Sequence, residues 1–243
     1  MEKLESGAAA LGLHLTPRQL QAFAKYYEEL VAWNRRVNLT AVTDRDEVQV
    51  RHFLDSLTVL LTLPGATENA ATCDGPLTLI DVGTGAGFPG VPLRIVCPNL
   101  SLTLLEATTK RVVFLGHLLS VLGLSDVSVI DGRAEDVGQL PEYRERFDIV
   151  VARAVARLPI LAELCLPLAR VGGRVIAMKG PDIKEEVDAA RRAITTTGGI
   201  LSGVRTVEVG KLLERRTLVV IDKVSPTPAQ YPRRPGIPAK RPL

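Results

Sequence analysis

Apolar residues recur every three or four positions along two N-terminal stretches. Thr16-Pro17 offers a capping residue followed by a proline in the first turn. Leu20, Phe23, Tyr27, Leu30 and Val31 then fall on one face, which predicts an amphipathic helix. A second helix is predicted over 47–61, with Val50, Phe53, Leu57, Leu60 and Leu61 inward and Leu63-Pro64-Gly65 as its stop. The stretch from there to Pro76 reads as a linker. From Leu77 the period changes. Short apolar runs at 77–82, 101–106, 126–131, 147–152 and 173–178 alternate with helix-period segments at 88–97, 109–122, 134–140, 157–170 and 182–195. That alternation is the pattern of parallel βαβ units in a doubly wound sheet. Two further strand-like runs, 202–209 and 216–223, lie either side of Gly210 and Glu214-Arg215-Arg216 and predict a terminal antiparallel pair. Six prolines between 226 and 242 make the tail extended rather than helical. The expected organisation is a helical cap over 1–75, an α/β domain over 76–224 and a tail over 225–243.

Composition adds little to this and contradicts none of it. With 46% hydrophobic and 23% charged residues, the chain is expected to be a soluble globular protein. It has no apolar run near the roughly 18 residues a membrane helix needs and no basic-then-apolar leader. Cys73, Cys97 and Cys165 match neither a disulfide framework nor a zinc pattern, so three reduced thiols in a cytoplasmic protein are expected, with no metal. Charge is more informative. The net charge is +3, yet residues 223–243 alone carry Lys223, Arg233, Arg234, Lys240 and Arg241 and no acid. A slightly acidic body with a basic tail points to an anionic partner or to a solvated tail.

Candidate chemistry begins at the end of the first predicted strand, Asp81-Val82-Gly83-Thr84-Gly85-Ala86-Gly87-Phe88-Pro89-Gly90. Glycines at alternate positions free the backbone and let a ligand approach it. Two registers compete. Gly85-Ala86-Gly87-Phe88-Pro89-Gly90 matches a dinucleotide pattern, whereas Asp81 ahead of Gly83, Gly85 and Gly87 suits a ligand with an ammonium and a sulfonium rather than a pyrophosphate. Glu106 ends the second strand, where a carboxylate can accept bonds from ribose hydroxyls. Ala134-Glu135 follows the third, where a small residue leaves room for a purine. Three successive strand ends thus follow the binding logic of class I S-adenosylmethionine-dependent methyltransferases. The expected fold is α/β and Rossmann-like: a mostly parallel seven-stranded sheet with a terminal antiparallel strand and a helical N-terminal cap.

The fourth strand end reads Ala152-Arg153-Ala154-Val155-Ala156-Arg157. It lacks Asn-Pro-Pro-Tyr and a Pro-Cys nucleophile, which argues against exocyclic amines and pyrimidine carbons as methyl acceptors. Arginine is no base. The acceptor therefore needs no deprotonation, and guanine N7 fits. No general base is assigned. Arg153 is the candidate catalytic group, placed to hold cofactor or phosphate rather than to sit over the base.

The chain closely resembles the bacterial 16S rRNA guanine-N7 methyltransferase G family, also called glucose-inhibited division protein B, over nearly its whole length. The resemblance is carried by Trp33-Asn34, Val37-Asn38-Leu39-Thr40, Arg51-His52-Phe53-Leu54-Asp55-Ser56-Leu57, the glycine loop, Lys110-Arg111, Gly132-Arg133-Ala134-Glu135, Arg153-Ala154, Lys179-Gly180 and Tyr231-Pro232-Arg233-Arg234-Pro235-Gly236-Ile237-Pro238. It implies methyl transfer from S-adenosyl-L-methionine to guanine(527) N7 in the 530 loop of 16S rRNA, leaving S-adenosyl-L-homocysteine. The enzyme would be cytoplasmic and monomeric, with 16S rRNA or the 30S subunit as partner. Many members have Asp-Ser where this chain has Glu106-Ala107, and serine where it has Ala152. The expected cofactor contacts are Asp81, Gly83, Thr84, Gly85, Gly87, Phe88, Glu106, Ala107, Ala134, Glu135 and Arg153. Phosphate contacts are expected from Arg35, Arg36, Arg157, Lys179, Arg233, Arg234, Lys240 and Arg241. Phe88 reads either as a cofactor wall or as helix core, and His52 as structural.

Overall fold

Seven strands form one sheet in the computed structural model of the chain, which describes residues 1–63, 65–66, 76–209 and 213–243. They are β1 (Leu77–Val82), β2 (Leu100–Glu106), β3 (Ser128–Asp131), β4 (Phe147–Arg153), β5 (Ala169–Lys179), β6 (Gly199–Val209) and β7 (Leu213–Lys223), in the order β3-β2-β1-β4-β5-β7-β6. Strands β1 to β5 are parallel, and β7 runs antiparallel to both β5 and β6. The order reverses beside β1, so the ends of β1, β2 and β4 open on one crevice, the place where such sheets bind ligands.

The helices are α1 (Glu2–Ala10), α2 (Pro17–Val37), α3 (Arg45–Val48), α4 (Asp55–Leu57), α5 (Gly90–Val96), α6 (Thr109–Leu122), α7 (Ala134–Val137), α8 (Leu158–Cys165), α9 (Lys184–Thr196) and α10 (Ile237–Lys240). Thr16 caps α2 in a reciprocal box with Gln19. The buried stripe of α2 is Phe23, Tyr26 and Leu30; Tyr27, expected inward, is only half-buried. The predicted second helix starts earlier, at Arg45 behind the Asp44 cap, and is not uniform. Between α3 and α4 it widens into a π-helical segment, Gln49–Leu54, and it tightens into a 3₁₀ turn over Thr58–Thr62. Its inward residues Val50, Phe53, Leu57, Leu60 and Leu61 are all buried.

The N-terminal helices share a core with α5, α6 and one face of the sheet, where Phe53 packs 5.0 Å from Phe23 and 5.2 Å from Tyr26. The other face is covered by α7, α8 and α9. The tail differs from its expectation, since it turns into α10 near its end. The thiols differ too. Cys97 is disulfide-bonded, while Cys165 is free and buried, its thiol pushed up to about 12 by burial. Part of the predicted linker, including Pro64, Cys73 and 67–75, lies outside the described residues, as does Gly210. Among the described residues no helix is long and apolar enough to cross a membrane.

Candidate functional site

Asp81 organises the glycine loop from behind. It is fully buried, and its Oδ2 accepts from Thr84 Oγ1 at 2.6 Å and from the Gly90 amide at 2.8 Å. Burial raises its carboxyl to about 6. The expectation that Asp81 meets a cationic ligand is therefore corrected. The strand end lies beneath the loop: Oδ2 and Thr84 hold the loop's two ends together, and the buried Oδ1, without a hydrogen-bond partner, borders neither cavity. The loop is tied across to β2 as well. Gly83 and Thr84 donate to the Leu105 carbonyl, and the Gly85 amide donates to Glu106 Oε2 at 2.9 Å.

Gly83, Gly85 and Gly87 all take left-handed torsions, with φ of 67°, 61° and 100°. Gly85 faces open space where a side chain would project, so the backbone there is bare toward the crevice. Gly87 has a different reason. A Cβ would stand 2.7 Å from Tyr26 Oη and 2.9 Å from Val91 Cγ2, because the buried tyrosine reaches in to donate to the Ala86 carbonyl at 2.6 Å. Gly87→Ala is expected to destabilise the chain by about 3 kcal/mol, the sum of a strained torsion and overpacking. Urea unfolding checks this, and an unchanged midpoint would contradict it.

Two cavities meet along Gly83, Arg111 and Ala154. Ala154, at the end of β4, holds φ of 57°, a costly torsion for a side-chain-bearing residue and one that clusters at binding sites. The second cavity, 390 Å³, is bordered by Glu106, Ala107, Ala134 and Glu135 at the ends of β2 and β3. Both Glu106 oxygens already accept a backbone amide, Oε2 from Gly85 and Oε1 from Thr108, each at 2.9 Å, which leaves one lone pair on each. The first cavity, 480 Å³, lies against Gly85, Phe88 and Arg153.

Phe88 is both core and wall. It is 4% exposed and stacks with Tyr26 at 5.2 Å and with His52 at 4.7 Å. Arg153 lies 5.0 Å from the same ring and donates through Nη1 to Asp55 Oδ2 and to the Arg51 carbonyl, both at 3.1 Å. Arg216 of β7 holds the other Asp55 oxygen at 3.2 Å. A buried carboxylate thus bridges two guanidiniums from separate strands. Arg51, His52 and Asp55, which share one turn of the widened helix, line this cavity together with Thr40. The sequence pattern assigned none of them a role in binding, although three stand in the segment 51–57 that carries the family resemblance.

Burial, and next the Arg153 charge, lower the His52 pKa to about 4. The imidazole is therefore neutral at pH 7. Its Nε2 faces Thr40 Oγ1 at 2.7 Å, and that hydroxyl already accepts from Val42 N, which leaves it free to donate. Between pH 6.5 and 4 the unfolded chain holds a proton on this histidine that the folded chain lacks, so its contribution to stability falls as pH falls through that window. Asp81 acts in the opposite sense, since its raised carboxyl gains a proton on folding between about 3.8 and 6. Substitution isolates the histidine. His52→Gln is expected to gain about 2 kcal/mol on the wild type between pH 7.5 and pH 5, measured as the difference in urea unfolding free energies. Parallel pH curves would refute it.

The expected phosphate contacts divide. Arg35, Arg36, Arg157, Arg234, Lys240 and Arg241 all remain exposed at the surface. Lys179 lines the first cavity but is bound to Glu186 and to the Ala156 carbonyl at 2.7 Å. Arg233 is corrected outright. Its guanidinium forks onto the fully buried Glu163 through Nε at 2.8 Å and Nη2 at 2.6 Å, a pairing that leaves it no role as a free phosphate ligand. Glu135 is also partly engaged, accepting from the Gly236 amide at 3.1 Å.

The parallel sheet closed by an antiparallel pair, with its cavities at the ends of β1, β2, β3 and β4, defines a class I methyltransferase fold. Solved structures agree. A mutant of the 16S rRNA (adenine(1408)-N(1))-methyltransferase from Catenulisporales acidiphilia matches 63% of this chain and 87% of its own at TM-score 0.52 and 15% identity. TrmN from Thermus thermophilus matches 72% and 53% at TM-score 0.51 and 20% identity. The family model for rRNA small subunit methyltransferase G matches residues 19–218. The relative of that name from Roseiflexus sp. (strain RS-1) is 51% identical over 243 residues, the whole of both chains. The one from Lactobacillus johnsonii is 46% identical over 235 residues, 97% of this chain and 96% of its own. The chain belongs to the ribosomal RNA small subunit methyltransferase G family and is a methyltransferase.

Proposed function

We propose that the chain transfers the methyl group of S-adenosyl-L-methionine to N7 of a guanine in small-subunit rRNA, guanine(527) of the 530 loop, in the cytoplasm. The cofactor's fit rests on the bare backbone at Gly85 and on the Glu106 carboxylate, whose remaining lone pairs suit two ribose hydroxyls beside the small Ala134. When bound, the cofactor supplies a methyl made electrophilic by its sulfonium. In this reading residues 76–224 carry the cofactor site, and the cap over 1–75 supplies the acceptor side through Thr40, Arg51, His52 and Asp55.

The observation that carries the acceptor assignment is the state of the groups lining the first cavity. Of these, His52 and Asp55 are the ones that could take a proton at neutral pH. His52 is a weak base at a pKa of about 4, and Asp55 is held between two guanidiniums. A nucleophile with a free lone pair needs neither, and guanine N7 is one. The neutral His52 ring, backed by Phe88, lines the cavity where a base would lie. Asp55, shared with Arg216, offsets part of the Arg153 charge and so lessens its opposition to the positive charge the base acquires. Label transfer from methyl-labelled cofactor tests this on a 530-loop fragment, on 16S rRNA and on 30S subunits. The expected product on nucleoside digestion is 7-methylguanosine. Label on any other atom, or no transfer to all three substrates, refutes the reading.

A further inference from the structure

The basic composition of the tail predicts an arm reaching for RNA. Its structure points inward instead. Arg144 donates to the Gly138 and Tyr231 carbonyls at 2.9 and 2.7 Å and to the Thr227 carbonyl at 2.8 Å, pinning the first half of the tail beside α7. Arg233 then forks onto Glu163 of α8, and its own amide donates to Glu163 Oε1 at 2.9 Å. Glu163 lies between Ile160 and Leu164, two residues of α8 that line the second cavity. Past this anchor, Gly236 turns with φ of 80°, its amide meets Glu135 Oε1, and α10 begins at the next residue. Ala239 of α10, itself exposed, lines the second cavity together with the ends of β2 and β3.

We infer that the C-terminal segment 233–241 is a wall of the nucleoside subsite, anchored by Arg233 on Glu163 and joined to the purine side through Glu135, and that it sets affinity for the cofactor's adenosine moiety. The inference rests on the proposed cofactor. Glu163 is fully buried, and a buried carboxylate needs its cation. The pairing therefore places the tail in one position. A wall already ordered before the ligand arrives spares the ordering that binding would otherwise cost.

The test is S-adenosyl-L-homocysteine binding by calorimetry, without RNA, on the full chain and two variants. Deleting 235–243 keeps the Arg233–Glu163 anchor and removes the Gly236 contact and Ala239. It is expected to raise Kd about tenfold. Ala239→Trp, at an exposed position that does not burden folding, fills the cavity and is expected to raise Kd by a similar factor. If both variants bind within about twofold of the full chain, the inference is overturned while the cofactor reading stands. A truncated chain that binds cofactor normally and loses affinity for a 530-loop RNA overturns it in favour of an RNA arm. A full chain that takes up no S-adenosyl-L-homocysteine overturns the cofactor reading and this inference together.

Discussion

Replacing Glu106 by alanine is expected to raise the Kd for S-adenosyl-L-homocysteine about 100-fold. The carboxylate is 4% exposed, borders the second cavity and ends the strand beside the glycine loop. Two further acceptor sites remain after the Gly85 and Thr108 amides are served. Hydrogen bonds to a charged acceptor contribute about 1.5–3 kcal/mol each. Losing two of them, with some recovery by water in the enlarged cavity, leaves about 3 kcal/mol, or two decades in affinity. Alanine also frees the Gly85 amide, so the loop keeps only its Gly83 and Thr84 bonds to β2. Glu106→Gln keeps one carbonyl acceptor but turns an N–H toward a backbone donor, and about tenfold weakening is expected. Calorimetric titration reads both. An alanine variant within about threefold of the wild type would remove Glu106 from the cofactor site.

Arg153→Ala is expected to lower turnover on RNA about 100-fold, with the Kd for S-adenosyl-L-homocysteine changed less than about threefold. The loss corresponds to about 3 kcal/mol in the transition state. Arg153 lines the first cavity, whereas Glu106 borders the second, and it contacts four neighbours: Asp55, the Arg51 carbonyl, the Phe88 ring and, through Nη2 at 3.4 Å, His52 Nδ1. Removing it leaves Asp55 with Arg216 alone, so the pair is weakened rather than orphaned. A stability loss of about 2 kcal/mol is expected, less than for a fully broken buried pair. A second readout separates positioning from mere destabilisation. The Arg153 charge helps hold His52 down, so the imidazole pKa should rise in the variant, and NMR titration of the histidine reports it. Unchanged turnover, or a His52 titration that does not move, would sink this role.

The central parallel strands β1 and β4 are legible because both their faces are covered, which makes each a largely apolar run; β1 matches the predicted 77–82 at both ends. Failures occur where local pattern and tertiary contact diverge. The helix predicted over 157–170 ends at Cys165, because Ala169 and Arg170 already join β5, whose first half, through Gly172-Gly173, lacks an apolar signature. The first helix, α1, escaped notice because its buried residues include only Leu4, Gly7 and Ala8, and its support is the π-helical segment it packs against.

The sequence alone determined the βαβ order, the glycine turn and the acidic or small residues at successive strand ends, because these obey spacing along the chain. Glu106, Ala107, Ala134 and Glu135 border one cavity for that reason. Tertiary structure decided which charges are free. Asp81 faces the loop's underside rather than the crevice, Asp55 meets Arg153 and Arg216 from residues 98 and 161 positions away, and Arg233 belongs to Glu163 rather than to a phosphate. No periodicity encodes such pairings. A buried charge takes whichever counter-charge the packed chain brings within reach, and that partner exists only once the helices have closed on the sheet.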